Sequence, residues 1–390
     1  MAIKVLIAPN SFKGSASASS AFHAFLEGVY YFSNITSKKV ETRKILVCDG
    51  GTGFSEIVGS RYPDSKKIEA DFVDPLMRPL STSYYKAGDI AVIESAKTIG
   101  HALLAKHELN PMHTSSYGLG QCISHAIDNG AKRILIGCGD SATSDCGIGM
   151  LAALGVTFID NEGKNIEKPV GSDITKIKNF DFSTSKYYGC DVSVELACNL
   201  TSIASGPHST ALVYSRQKGA SAKQAEQLFE GYKSYTSLVG ERIGEPDLGL
   251  LPGTGAAGGI GFAVSAFFQR RSLRYSFDVV FDAIGIDPLL EWADIVITGE
   301  GLFDRNSVKG KAPVAVALRA KLYDTITVGV VGAIQSNIIS RVLRSGFDIL
   351  EPFSSENISL DSYCNNFSDI ARDATVRALL KAIPLMERTK

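Results

Sequence analysis

No C-x-x-C pair occurs among the seven cysteines of this 390-residue chain, and no H-x-x-x-H or H-x-H spacing occurs among its six histidines. Those absences argue against a structural zinc site, whose ligands come at such short intervals. His101, His107 and His113 stand six residues apart, on different faces of any helix. The odd set of cysteines (Cys48, Cys122, Cys138, Cys146, Cys190, Cys198 and Cys364) sits mostly in apolar surroundings, which fits reduced thiols and a cytoplasmic setting. Charge of one sign is also missing. The 40 basic and 41 acidic residues leave a net −1, so no basic field invites nucleic acid or an anionic membrane. No apolar run approaches the roughly 20 residues that span a bilayer. The start MAIKVLIAPN enters a strand pattern without the layout of a signal peptide. Three catalytic signatures are absent as well: the G-x-S-x-G elbow, the Walker A loop and a clean dinucleotide fingerprint, since GTGAAGG follows no strand.

What is present is an ordinary globular composition, 45% apolar and 21% charged, in a chain long enough for two domains. IKVLIAP (3–9) is a continuous apolar run ending in proline, as expected of a strand buried on both faces. Phe22, Phe25, Leu26 and Val29 then follow at helical spacing, with Ser19 or Ser20 as the expected N-cap. Further strand patterns occupy 44–54, 89–100, 132–149, 293–304 and 325–334. They alternate with helical patterns at 115–129, 222–240 and 311–322. The chain therefore reads as α/β, with largely parallel sheets. The polar excursion from about 160 to 190 carries a hairpin turn at DNEGK.

In such sheets ligands bind beyond the carboxyl ends of the strands. Five strand ends carry polar residues beside glycine: Asn10–Lys13, Asp49–Gly53, Gly139–Asp145, Glu300–Asp304 and Gly329–Gly332. LPGTGAAGGIGF (251–262) adds a glycine loop feeding a helix expected near Ala256. Such a loop suits a phosphate, and equally suits tight packing between helix and sheet. GEGLFDRNSVKGK groups Glu300, Asp304, Arg305, Lys309 and Lys311. Carboxylates for Mg²⁺ and cations for phosphate oxygens are what phosphoryl transfer requires, although a solvated charged loop has the same composition. Glu94 reads as a further ligand or as a helix cap.

The ordered segments IAPNSFKGS, CDGGTG, IESA, GCGDSATSDCGIGMLAALG, RQKGA, PGTGAAGGIG and ITGEGLFD…GKAPVAVA resemble the bacterial glycerate kinase family. That resemblance implies phosphorylation of D-glycerate at its 2-hydroxyl, with ATP and Mg²⁺. It implies a discontinuous Rossmann- or flavodoxin-like domain (1–80 with 290–390), an inserted α/β domain (81–289), and an active site in the cleft between. Under it, Ser141, Thr143, Gly253, Gly255, Gly258 and Gly259 contact the nucleotide, and Asp145 and Glu300 hold the metal. Lys13, Asp145, Asn199 and Asp304 act at the reacting groups, and Ser11, Asp49, Arg78 or Arg305 hold the substrate. The expected partner is a small molecule, neither nucleic acid nor membrane, with a homodimer left open.

Departures from the family pattern concentrate at these polar strand ends. Asn10 and Asn199 stand where aspartate is usual, Thr52 and Gln121 replace glutamate, Phe54 replaces threonine, and Asp140 and Ser144 replace glycine and asparagine. Ser202 and Ile203 replace an Asn-Pro pair, and Leu302 stands in place of arginine. Three readings follow. One is a working glycerate kinase in which Asp140, Asp145 or Asp191 compensates for lost acids. A second is a relative with an altered substrate and a pocket made apolar by Phe54, Ile203 and Leu302. The third is a non-catalytic homologue.

Overall fold

The computed structural model describes residues 2–12, 15–304, 307, 311–353 and 366–388, and it divides into two compact units. The first joins residues 1–49 to 281–390, and the second spans 50–280.

In the first unit a five-stranded, wholly parallel sheet runs Ile349–Pro352, Ile326–Val331, Ile295–Thr298, Ile3–Ile7, Val40–Lys44. Its inner strands are continuous β-branched and apolar runs because both faces are covered. The edge strand is the polar Val40–Lys44. The apolar Ile45–Cys48 expected as strand continues it, buried and tied by Ile45 N–H to the Ile7 carbonyl at 3.0 Å. Helix Ala18–Thr36 buries Phe22, Phe25 and Val29 against the sheet and against Ala371, Ala374 and Ala378 of helix Phe367–Arg388. Its N-cap is Ser17, which accepts from Ser20 N at 3.1 Å. The helix thus starts before the Ser19 or Ser20 cap expected of it.

The second unit holds a six-stranded sheet ordered Arg270–Tyr275, Ser193–Cys198, Arg133–Gly137, Ile90–Glu94, Pro79–Ala87, Lys66–Val73. The first four are parallel, and the last two form an antiparallel edge. This hairpin places 50–80 in the inserted unit, whereas the sequence reading drew that boundary near 80. The junction falls at Gly50 and Gly51, a glycine pair that reads in the sequence as one more strand-end turn. Helices Tyr117–Asp128 and Ala222–Ile243 form where the periodicity put them. The DNEGK turn lies between the antiparallel strands Thr157–Asp160 and Ile177–Asp181, where Asp160 Oδ1 accepts from Glu162 N and Lys164 N. Among the described residues, no helix is long and apolar enough to cross a membrane. All six described cysteines are free thiols, and Cys364 lies outside the described residues.

Candidate active site

Within the second unit, strands Arg133–Gly137 and Ser193–Cys198 end side by side, with Gly137 opposite Ala197. The residues that follow them line a cavity of about 430 Å³. Cys138, Asp140 and Ser141 come from the first strand end, and Asn199 and Ser202 from the second. Lys218 enters from the turn Arg216–Lys218, and Gly255 to Gly258 close one wall. Asp140 adopts a left-handed backbone (φ 54), and its Oδ2 accepts from Thr52 N at 3.1 Å and Thr52 Oγ1 at 2.9 Å. Asn199 Oδ1 accepts from Thr201 N and Oγ1 at 3.0 and 2.9 Å, an Asx turn that fixes its amide at the cavity edge.

The glycine loop breaks the helix expected from Ala256: Ala257, Gly258 and Gly259 are left-handed, and regular helix resumes at Ile260. Gly258 is obligatory. Its φ is +72, and a Cβ there would stand 2.0 Å from the Thr143 carbonyl oxygen. Its own carbonyl accepts from Cys146 N at 3.0 Å and Tyr232 Oη at 2.6 Å, which locks the loop onto residues 143–146. Close packing is therefore one duty of this loop, and lining the cavity is another.

Behind the cavity, Asp145 is wholly buried. Oδ2 accepts from Ser116 N and Oγ at 2.7 Å and from Gly149 N at 3.2 Å, while Oδ1 accepts from Gly147 N at 3.1 Å. Burial pushes its carboxyl above the ordinary aspartate value, and these donors pull it back. Glu94 is buried likewise, its Oε2 accepting from Gly53 N, Ser55 N and Ser55 Oγ at the start of helix Phe54–Gly59. It is a helix cap.

In the first unit, the carboxyl ends of Ile3–Ile7, Ile295–Thr298 and Ile326–Val331 surround a second cavity of about 500 Å³. Asn10, Ser11, Asp49, Glu300, Asp304 and Lys311 supply its polar groups. Leu302, Ala333 and the stacked rings of Phe12 and Phe353, 5.3 Å apart, supply an apolar wall. Glu300, 6% exposed, accepts from Ser307 Oγ at 2.6 Å and pairs with Lys311 Nζ at 3.3 Å, which also lies 3.6 Å from Asp304. Burial raises the Glu300 carboxyl and Lys311 opposes the rise. Among the described residues no group of three or more His, Cys, Asp or Glu could hold a metal ion by itself. Mg²⁺ needs only one or two carboxylates when phosphate oxygens and water complete its shell, and the hard oxygens of Glu300 and Asp304 fit that mode.

Comparison with known proteins gives a consistent picture. The model of the glycerate kinase family matches residues 5–381. The glycerate kinase of Bacillus subtilis (strain 168) is 34% identical over 350 residues, 89% of each chain. The glycerate 2-kinase of Escherichia coli (strain K12) is 32% identical over 338 residues, 86% of this chain and 87% of that one. The crystal structure of a glycerate kinase 2 from Salmonella typhimurium LT2 matches with a TM-score of 0.80 at 31% identity, covering 99% of this chain and 100% of that one. The chain belongs to the glycerate kinase family. It is a small-molecule kinase.

In this glycerate kinase family member the expected site residues divide by location. Ser141, Asn199, Gly255 and Gly258 line the cavity of the second unit, and Ser11, Asp49, Glu300 and Asp304 that of the first. Thr143 is buried and offers its carbonyl to Lys218, while Gly253 and Gly259 pack against Cys198 and Cys146. Lys13, Arg305 and Lys309 lie outside the described residues. Two expected residues lie away from the cavity linings. Asp145, expected at the metal, accepts from backbone and serine donors of two helix starts. Arg78 lines neither cavity; it is bound to Asp74 at 2.6 Å and Glu108 at 2.7 Å.

The altered positions divide similarly. Of the acids weighed as replacements, Asp140 lines one of these two cavities, whereas Asp191 is 83% exposed and pairs with Arg270. Of the apolar replacements only Leu302 lines one. Phe54 is core, against Gly137, and the Ile203 backbone packs on Gly255. Sequence reasoning missed Lys218, His101, Tyr214 and Gln217. For Lys218 and Gln217 the signal was the RQKGA segment, whose individual residues had no assigned role.

Proposed function

We propose that this kinase transfers the terminal phosphoryl group of ATP, with Mg²⁺, to the 2-hydroxyl of D-glycerate, giving 2-phosphoglycerate. The observation that carries the reading is one cavity in which Asp49, Glu300 and Asp304 meet the hydroxyl of Ser11 and the amide of Asn10 at the ends of parallel strands. The names of the B. subtilis and E. coli relatives supply the substrate. Phosphoryl transfer asks a protein mainly for positioning and charge neutralisation; Asn10 and Ser11 offer the first, and Lys311, with a cation held by the carboxylates, offers the second. Magnesium, when bound by Glu300, supplies positive charge to the phosphate oxygens.

The chain's own groups do the remaining work. Ser11 and Asn10 orient the acceptor. Asp304, less buried than Glu300, accepts the proton of the acceptor hydroxyl. Ser141 and the 255–258 backbone receive the polyphosphate. Lys13 neutralises the group in transit, and Arg305 holds the acceptor's carboxylate. The test is ATP consumption in Mg²⁺ buffer across small hydroxy acids, with the product's phosphate position read by phosphorus NMR. D-glycerate converted to the 2-phosphate is the expected result. Consumption with another acid and none with glycerate overturns it.

A second reading has one specific support. Leu302, 44% exposed, lines the acceptor cavity where arginine is usual in the family, which favours a less charged acceptor. Leu302→Arg separates the two: a large gain on glycerate means that the natural site is tuned to something else.

A further inference from the structure

Lys218 is a buried cation with no carboxylate in contact with its ammonium among the described residues. It is 6% exposed and borders the cavity of the second unit. Its ammonium donates to Ser141 Oγ at 2.9 Å and to the Thr143 carbonyl at 2.6 Å, both neutral acceptors. Among the described residues no carboxylate forms an ion pair with it. The acid whose charge it feels, Asp145, already accepts four hydrogen bonds from other groups. An ammonium has three protons to donate, so one is left over beside the cavity. Burial disfavours the charged form, the charge of Asp145 offsets it only in part, and the lysine comes down to about 8. A simple tie between the 141–143 loop and the 216–218 turn needs no charge. An anion-binding site does.

The surroundings indicate which anion. The lining beside Lys218 offers the hydroxyls of Ser141 and Thr210 and a stretch of backbone, Gly255 to Gly258, with almost no side chain to keep a phosphate at a distance. The other titratable groups facing the cavity are His101, Asp140, Tyr214 and Cys138, with Asp145 behind. Of these, Asp140 directs Oδ2 to Thr52.

We propose that Lys218 is the cation that receives the phosphate oxygens of the bound nucleotide. This rests on the ATP-dependent reading above. Bound phosphate returns to Lys218 the charge partner that the folded chain withholds, so nucleotide binding above pH 8 draws a proton onto the protein.

The test titrates MgADP into wild type and Lys218→Met by calorimetry in two buffers of different ionisation heat at pH 8.5, with D-glycerate titrated separately. Thermal melting verifies the fold. The expected result is nucleotide affinity weakened about 10–150-fold, the worth of one charge-assisted hydrogen bond. Proton uptake is lost in the variant and glycerate affinity is unchanged. A folded variant that binds MgADP like wild type overturns the proposal, and so does one that loses glycerate and keeps MgADP. Should Lys218→Met fail to fold, the wild type decides: MgADP affinity falls toward about tenfold per unit as pH rises beyond 8, and a flat profile overturns the proposal. Wild type that binds no nucleotide at all refutes the ATP-dependent reading itself, a separate outcome seen before any variant is made.

Discussion

Asp145 and Glu300 look alike on paper. Each is an acid in the loop that follows a parallel strand, each is almost wholly buried, and burial raises both carboxyls. Their partners separate them. Asp145 is surrounded by N–H and hydroxyl donors from the starts of helices Tyr117–Asp128 and Ile148–Ala153, and it holds those helices together. Glu300 faces a cavity, with one hydroxyl and a half-exposed ammonium that can be displaced. A carboxylate whose acceptor sites are filled by backbone is architecture; one balanced by a mobile cation is available to a ligand.

Substitutions put that contrast at risk. The largest effect is expected from Asp145→Ala, which strands four buried donors and should lower stability by about 3–5 kcal/mol in urea unfolding. A loss below 1 kcal/mol would end the contrast. Glu300→Gln should leave stability within about 1 kcal/mol, because Lys311 reaches solvent, while apparent Mg²⁺ affinity falls about 10–100-fold in activity titrations. The same variant has a pH signature. The folded value of Glu300 lies above its ordinary 4.5, so its contribution to stability is present below pH 4.5 and is lost as pH rises through the raised value. Stability curves of wild type and variant should diverge over that interval and run parallel elsewhere. Gly258→Ala should cost about 2 kcal/mol, by strain at φ +72 and the clash with Thr143, and should weaken nucleotide binding as well. The smallest effect belongs to Asp191→Asn. Its exposed pair with Arg270 should contribute less than about 0.5 kcal/mol, and the variant should keep wild-type kinetics.

Much of the fold was legible because buried parallel strands are continuous apolar runs and their covering helices keep the 3.6-residue period, as Ile3–Ile7 and Ala222–Ile243 illustrate. The start of the inserted unit was not, since the glycines after Asp49 look like those of the other strand ends and nothing local ties the hairpin Lys66–Ala87 to the strands that come later. The cavity linings were half legible. Strand-end residues such as Ser141, Asn199, Glu300 and Asp304 could be placed by the rule that ligands gather at carboxyl ends. The surroundings of Asp145 were not legible because the sequence SDCGIG does not display the donors folded around it, nor those of Arg78, because Asp74 and Glu108 reach it only in three dimensions. Lys218 was passed over because a lysine beside a glycine reads as an exposed turn until burial is measured.

The discontinuous first unit has a consequence for how the protein is made. Strand Ile3–Ile7 is an interior strand of its sheet, and its neighbour Ile295–Thr298, the central one, leaves the ribosome only after the whole inserted unit. At about 5–20 residues per second, the wait is on the order of 15–60 s. During it the inserted unit can mature, while the apolar edge of Ile3–Ile7 waits beside Val40–Lys44 with no lid over Phe25 and Val29. Helix Phe367–Arg388, translated later still, is the cover that ends this exposure.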